Sequence, residues 1–202
     1  MEGVGIPTTH SQDHLDRLDR FLRQAKAIVA AFDQDPVQKQ GDDGWPVDVD
    51  AYGWAAHRRD RSLWDAFLPV QIHAGDLLGT ATAQLDQIPE ESRKAWSPKI
   101  AALERAVDTL ETEHDRLMDR LRDHLVRSRP NLAAVDLMVT EFFDEAWPAL
   151  DVWASGGHAV IDLNTTVHQG AAPSRTPKPA LRLVSGGIIP PGAPGRSRGG
   201  HR

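Results

Sequence analysis

The longest regular pattern in the chain is a heptad repeat of apolar residues that follows Ser97 and Pro98. Residues three and four apart share one face of a helix, so the repeat predicts one long amphipathic helix over 98–128. Ser97 and Pro98 suit the N-cap and the first position of such a helix. At about 1.5 Å per residue it would extend about 45 Å, so we expect part of it to project or to pair with another chain. Its apolar face is formed by Ile100, Leu103, Val107, Leu110, His114, Leu117, Leu121 and His124.

Two further segments with helical periodicity complete the evidence for an all-α fold, a helical bundle of four to five helices. The first begins at Ser11, a candidate N-cap, and runs to Phe32. The second begins at Ser62 and ends before Pro89, and it is one helix or two because Pro69 interrupts it.

The C-terminal part of the bundle is predicted to contain the central helix. Residues 130–153 are apolar around much of the helix circumference, which is typical of a buried helix. The short apolar run at 158–163 is compatible with a strand that pairs with 180–184.

The periodicity and the charges divide the chain into three parts. Residues 1–10 are predicted to be a flexible N-terminus, and residues 11–168 to form the helical bundle domain. Residues 169–202 form a basic tail, rich in Pro and Gly, that is predicted to be disordered because it has too little apolar surface to offset the entropy of ordering. No acidic residue follows Asp162, so the tail is positively charged and the rest of the chain strongly acidic.

Within the bundle domain, residues 34–61 are predicted to be an irregular connection, because Pro and Gly recur there. Solvated linkers rarely carry large aromatic residues such as Trp45, Tyr52 and Trp54, so we expect the connection to pack on the bundle. A short helix inside it, from Asp50 to Arg59, is compatible with the pattern.

Several functional classes are excluded or disfavoured. The absence of cysteine excludes disulfides, thiolate catalysis and Cys-ligated metal centres. We find no export signal and no apolar run of about 18 residues, and expect a cytoplasmic protein without a membrane span. Phosphate-loop, dinucleotide-binding and serine-hydrolase motifs are absent, which favours a protein that is not an enzyme and needs no cofactor. The remaining acid–base candidates are isolated groups beside the connection, namely Asp60, Asp65 and His73.

One motif suggests a metal. Glu111 and His114 form an E-x-x-H pair on one face of the long helix, as in carboxylate-bridged di-iron bundles. Such a centre needs a second pair and two more carboxylates. The alternative is that His114 and His124 lie in or beside the apolar face and bind a polar partner, and we favour it. His10 and His14 are four apart, but without further ligands they predict no site. The chain offers only substitutes for the missing ligands: His73 with Asp76, and Glu141 with Asp144 and Glu145.

The functional hypothesis is a non-enzymatic accessory or regulatory protein that associates with a protein partner, or with a second copy, through the helix over 98–128. The rival interpretation of the same apolar face is packing within the monomer. A metalloprotein or small-molecule enzyme using Glu111 and His114 is the alternative. A nucleic-acid-associated factor acting through the basic tail is a second alternative, limited to nonspecific contact because the acidic bundle repels a polyanion.

Overall fold

The computed structural model describes residues 9–42, 44–127 and 131–171, and in these ranges the chain is helical, without a β-strand. The predicted all-α bundle of four to five helices is confirmed. None of the described helices contains a stretch long and apolar enough to cross a membrane. The helices are α1 (Thr9–Asp33), a short 3-10 helix (Pro36–Gln38), α2 (Val49–Leu85), α3 (Glu90–Arg127), α4 (Leu132–Gly156) and α5 (His158–Ala171).

Consecutive long helices run antiparallel. His14 near the start of α1 stacks on His73 in the second half of α2, while Phe32 at the end of α1 packs on Tyr52 at the start of α2. The same reversal relates α2 to α3 and α3 to α4, because short connections join helices that pack along their lengths. This up-and-down order places α2 and α4 parallel to each other.

The core is formed where all five described α-helices bring large side chains together. Trp153 of α4 and Phe67 of α2 have ring centroids 5.3 Å apart, and Phe67 meets Phe21 of α1 edge to face at 5.2 Å. Removing these rings from water is the main stabilising contribution of the helix faces. The other large, fully buried side chains are Leu18, Leu22, Leu63, Val70, Ile100, Leu103, Leu110, Leu150 and Leu163.

The long helix begins earlier than predicted. Pro89 precedes its first turn, and Glu90 and Glu91 lie where carboxylates favour a helix N-terminus. Ser97 is therefore inside α3, where its hydroxyl donates to the carbonyl of Arg93 at 2.9 Å, and it is not an N-cap. Pro98 is also internal. A Ser–Pro pair satisfies the rules for a helix start but does not require one.

The first helix and the connection that follows it also differ from prediction. Ser11 lies inside α1, which begins at Thr9. The irregular connection ends at Asp48 rather than near residue 61, because the Asp48 carboxylate caps α2 by accepting a hydrogen bond from the Ala51 amide at 2.9 Å. Of the three aromatic residues expected to pack on the bundle, Tyr52 packs against Phe32, while Trp45 and Trp54 are largely exposed.

The second half of the domain contains one long helix and one unexpected helix. Pro69 lies inside α2, which continues through it to Leu85. Residues 158–163 belong to α5 and not to a strand, and Leu163 is fully buried. Their expected strand partner at 180–184 lies outside the described residues, as do the N-terminal residues 1–8 and most of the predicted tail. Helix α5 extends three residues past the predicted end of the bundle at 168.

Candidate functional site

A groove of about 640 Å³ opens between the first half of α2, the end of α3 and the start of α4. Its floor is aromatic. Trp64 meets Phe142 edge to face at 4.9 Å, and the His114 ring lies against both, 5.6 Å from Trp64 and 6.3 Å from Phe142. Trp64 and Phe142 are buried, whereas His114 is only half-buried and faces the groove.

A few polar side chains stand at the edge of this apolar floor. Arg61 and Asp65 approach from α2 and Asp136 from α4, and His57 places its ring edge-on to Phe143 at 5.3 Å. Among the described residues, the side chains of Arg61, Asp65 and Asp136 take part in no ion pair or hydrogen bond. An apolar floor with a few unpaired polar groups at its edge is the usual composition of a binding site.

Large apolar side chains are exposed at this end of the molecule. Met118 is 40% exposed and Leu132 85%, and both line the groove. Leu125, Val126 and Leu137 are each more than half exposed on the same end of the α3–α4 hairpin. We call these five residues the hairpin apolar surface. Such a concentration of exposed apolar residues is typical of an interaction surface, whereas single ones are not.

The predicted association face of the long helix is divided by the structure. Five of its residues are buried in the bundle, as the monomer interpretation expected, and of these five Leu117 also lines the groove. Half-buried His114 and Leu121 line the groove, and His124 accepts a hydrogen bond from the Asn131 amide at 3.3 Å. The five buried residues are Ile100, Leu103, Val107, Leu110 and Leu117.

The Glu111–His114 pair acquires no further ligands. Glu111 is exposed, and His114 is occupied by the aromatic contacts of the groove floor. Within the described ranges, no set of three potential ligands includes either residue. The alternative expected both histidines to bind a polar partner: His124 accepts a hydrogen bond from Asn131, whereas the contacts of His114 among the described residues are aromatic.

Helix α4, which forms one side of the groove, is acidic. It carries Asp136, Glu141, Asp144, Glu145 and Asp151 and contains no Lys or Arg. Within the described part of the chain only Glu141 has an ion-pair partner, Arg120 of α3 at 2.6 Å. Of these five acidic residues, Asp136 is the one that lines the groove.

Beside the groove, a charged pair is enclosed between helices. The guanidinium of Arg59 lies over the rings of Trp147 and Phe32, and its Nε donates to the Asp60 carboxylate at 2.7 Å. Burial raises the pKa of Asp60, and the hydrogen bond and charge of Arg59 oppose that increase. Asp60 was a candidate for acid–base chemistry, but it is buried and paired with Arg59, as expected of a residue that stabilises the packing of the helices.

A second cluster joins the other half of α1 and α2. His14, His73 and Asp76 place one ligand atom each within 4.8 Å of one another, and the two imidazole rings stack with centroids 4.0 Å apart and planes 14° apart. The Arg17 guanidinium donates to His73 Nε2 at 3.3 Å. Loss of hydration and the neighbouring charges of His14 and Arg17 lower the pKa of His73, while Asp76 raises it.

The sequence offered His73 with Asp76 only as a substitute for the missing ligands of a di-iron centre, and it predicted no site at His14. His73 and Asp76 could be paired from the sequence because they lie three positions apart on one helix. His14 could not, because its proximity arises from the packing of α1 on α2. Comparison of the chain with protein-family models, curated proteins and solved structures finds no match, so any function must be inferred from these two sites.

Proposed function

We propose that the protein is a non-enzymatic association protein and that its groove receives an amphipathic helix of a protein partner, with an apolar face and basic flanks. The observation that carries the proposal is the hairpin apolar surface, which surrounds the open end of a groove with an aromatic floor. The proposal keeps the predicted function but moves the contact to the C-terminal part of α3, the start of α4 and the facing part of α2.

The exposed apolar area of the groove would supply the free energy of association. Side chains such as Leu132 and Met118 are solvated in the isolated chain, and covering them yields about 25 cal/mol for each Å² of apolar surface removed from water. Trp64 and Phe142 already fix the floor, so a partner side chain would enter a preformed site. Preformed sites lower the ordering cost of association.

The shape favours a helix as the occupant. The groove runs between helices, and a helix inserted there would present apolar side chains at i, i+4 and i+7 along one line. The carboxylates of Asp136 on α4 and Asp65 on α2 favour Lys or Arg on the flank of that helix. Asp65 and Asp136, which have no partners among the described residues, are the nearest carboxylates for such cations.

A synthetic helix provides the direct test. A labelled peptide of about 18 residues with Leu at the spacing given above and Lys on its flanks should bind the full-length protein, as measured by fluorescence anisotropy. A matched peptide with Glu in place of Lys should bind at least about tenfold more weakly. Equal binding of both peptides would contradict the charge argument, and binding of neither would contradict the proposal.

Two variants locate the contact. Leu132→Asp and Met118→Asp should each weaken peptide binding by about tenfold or more with helical content unchanged, because both side chains are accessible at the groove. Ile72→Asp is the control, since Ile72 is also well exposed but lies on α2 outside the groove. If the protein is instead a dimer that Leu132→Asp dissociates, the occupant is a second copy and the proposed partner is wrong.

A further inference from the structure

The cluster of His14, His73 and Asp76 is independent of the groove. His73 and Asp76 are separated by three positions on α2 and so share a face, and His14 meets them from α1. The nearest groove residue on α2, Asp65, precedes His73 by about 12 Å along the helix axis. A ligand of one site therefore need not touch the other.

The packing of α1 on α2 brings these three side chains together near the surface. Both rings are only partly buried, and Asp76 is exposed, so little apolar surface is gained by bringing them together. Two imidazole nitrogens and a carboxylate oxygen within 4.8 Å can reach one cation when the stacked rings turn, because an imidazole nitrogen donates its lone pair in the plane of its ring.

We propose that His14, His73 and Asp76 bind one divalent transition-metal ion of the zinc type. Two imidazole nitrogens suit Zn²⁺, Co²⁺ or Ni²⁺, whereas Mg²⁺ and Ca²⁺ prefer oxygen ligands throughout. Three protein ligands leave at least one coordination position for water or for a ligand from outside. The ligand atoms must approach slightly, because bonds of about 2.0–2.1 Å require closer spacing than 4.8 Å.

Arg17 sets the affinity of this site. Its guanidinium occupies His73 Nε2 and adds a positive charge beside the cluster, so it competes with the metal for the nitrogen and repels it. Because the Arg17 side chain is exposed, it can turn into solvent when the metal binds. Removing the guanidinium should therefore strengthen metal binding, an effect opposite to that of removing a ligand.

The test uses the full-length, untagged protein stripped with a chelator. Titration with Co²⁺, followed by its visible absorption, should show one ion per chain, and Zn²⁺ should displace it. His14→Ala and His73→Ala should each weaken binding by about 100-fold, and Asp76→Asn by about tenfold or more. Arg17→Gln should bind more tightly than the parent protein.

Controls separate this site from adventitious binding. His158→Ala removes an exposed histidine of α5 that is outside the cluster, and it should leave the affinity unchanged. Circular dichroism should show the same helical content for every variant, since the replaced side chains are not in the core. Equal affinity in the His73→Ala variant and the parent, or an equal loss in the His158→Ala variant, would overturn the proposal.

Discussion

The guanidinium carbon of Arg59 lies 3.4 Å from the ring centroid of Trp147, so a cation of α2 is stacked on an aromatic residue of α4. The same guanidinium pairs with Asp60 and covers Phe32 of α1. One partly buried arginine thus joins three helices beside the groove. Its position makes the stability of the bundle depend on a charge and not only on apolar packing.

We predict that Arg59→Met lowers the free energy of unfolding by about 3 kcal/mol at pH 7, because Asp60 is left buried without its partner. A carboxyl whose pKa is raised in the folded state makes the fold more stable as the pH falls through that pKa toward 3.8. Without Arg59 the pKa of Asp60 rises further, so the loss should shrink as the pH is lowered.

Urea denaturation at pH 7 and at pH 5 measures both effects. Arg58→Met is the matched control, since Arg58 is well exposed and its one ion pair among the described residues, to Asp35, is long at 4.0 Å. It should change stability by less than about 0.5 kcal/mol. If Arg59→Met lowers the free energy of unfolding by the same amount at both pH values, the effect comes from lost packing and not from the charge of Asp60.

Two glycines should respond oppositely to substitution by alanine. Gly79 lies inside α2, and a methyl group added there would have nothing within 4 Å, so Gly79→Ala should stabilise the protein by about 1 kcal/mol. At Gly157, between α4 and α5, a methyl group would meet the Trp153 carbonyl oxygen at 2.7 Å and Leu22 at 3.0 Å. Gly157→Ala should therefore cost about 1–3 kcal/mol, and thermal unfolding of the two variants should show shifts of opposite sign.

Trp153 combines a large apolar body with a polar group that lacks a partner. Its side chain is fully buried, and its indole N–H finds no acceptor among the described residues. Trp153→Phe removes that donor while keeping most of the packing, so it should cost less than about 2 kcal/mol, compared with about 4 kcal/mol for Trp153→Ala. If denaturant unfolding shows the same loss of stability for Trp153→Phe and Trp153→Ala, the indole N–H has a hydrogen-bond acceptor in solution.

A buried residue of the heptad face and an exposed residue of the hairpin apolar surface should respond differently to substitution. Leu110→Ala should lower the free energy of unfolding by about 3 kcal/mol without affecting assembly, because Leu110 is fully buried within its own chain. Leu132→Ala, at an exposed position, should change stability by less than about 0.5 kcal/mol. Sedimentation velocity over a range of concentrations, combined with chemical denaturation, checks both statements. A change of oligomeric state in the Leu110→Ala variant would restore the buried half of the face as an association surface.

Helix identity was predictable from the sequence wherever apolar residues repeat over several turns. The repeat from Ile100 to Leu117 indicated both the helix and its inward face, since burial follows the same period as the backbone. Helix ends were less predictable, because several residues satisfy the same local rules. Ser97 and Pro98 resemble a start, yet Pro89 and the glutamates after it begin the helix. The run at 158–163 was too short to distinguish a strand from a helix.

The candidate sites were less predictable, because each combines residues from different helices. Spacing along α2 brings His73 and Asp76 together, but only the packing of α1 on α2 adds His14, 59 positions earlier in the chain. The groove likewise needs Trp64, His114 and Phe142 to meet from three helices. No local pattern encodes such a meeting. What the sequence did indicate was the partly polar character of the heptad face at His114, which became part of the groove floor.

Pro69 lies on α2 between the groove and the histidine cluster, and it cannot donate the amide hydrogen bond that a helix would make to the carbonyl of Asp65. A helix that lacks one such bond bends there at lower cost than elsewhere. Pro69 is thus the position where α2 can bend most easily, and a different candidate site lies on each side of it. Bending at Pro69 changes the angle between the two halves of α2 and leaves the residues within each half in place.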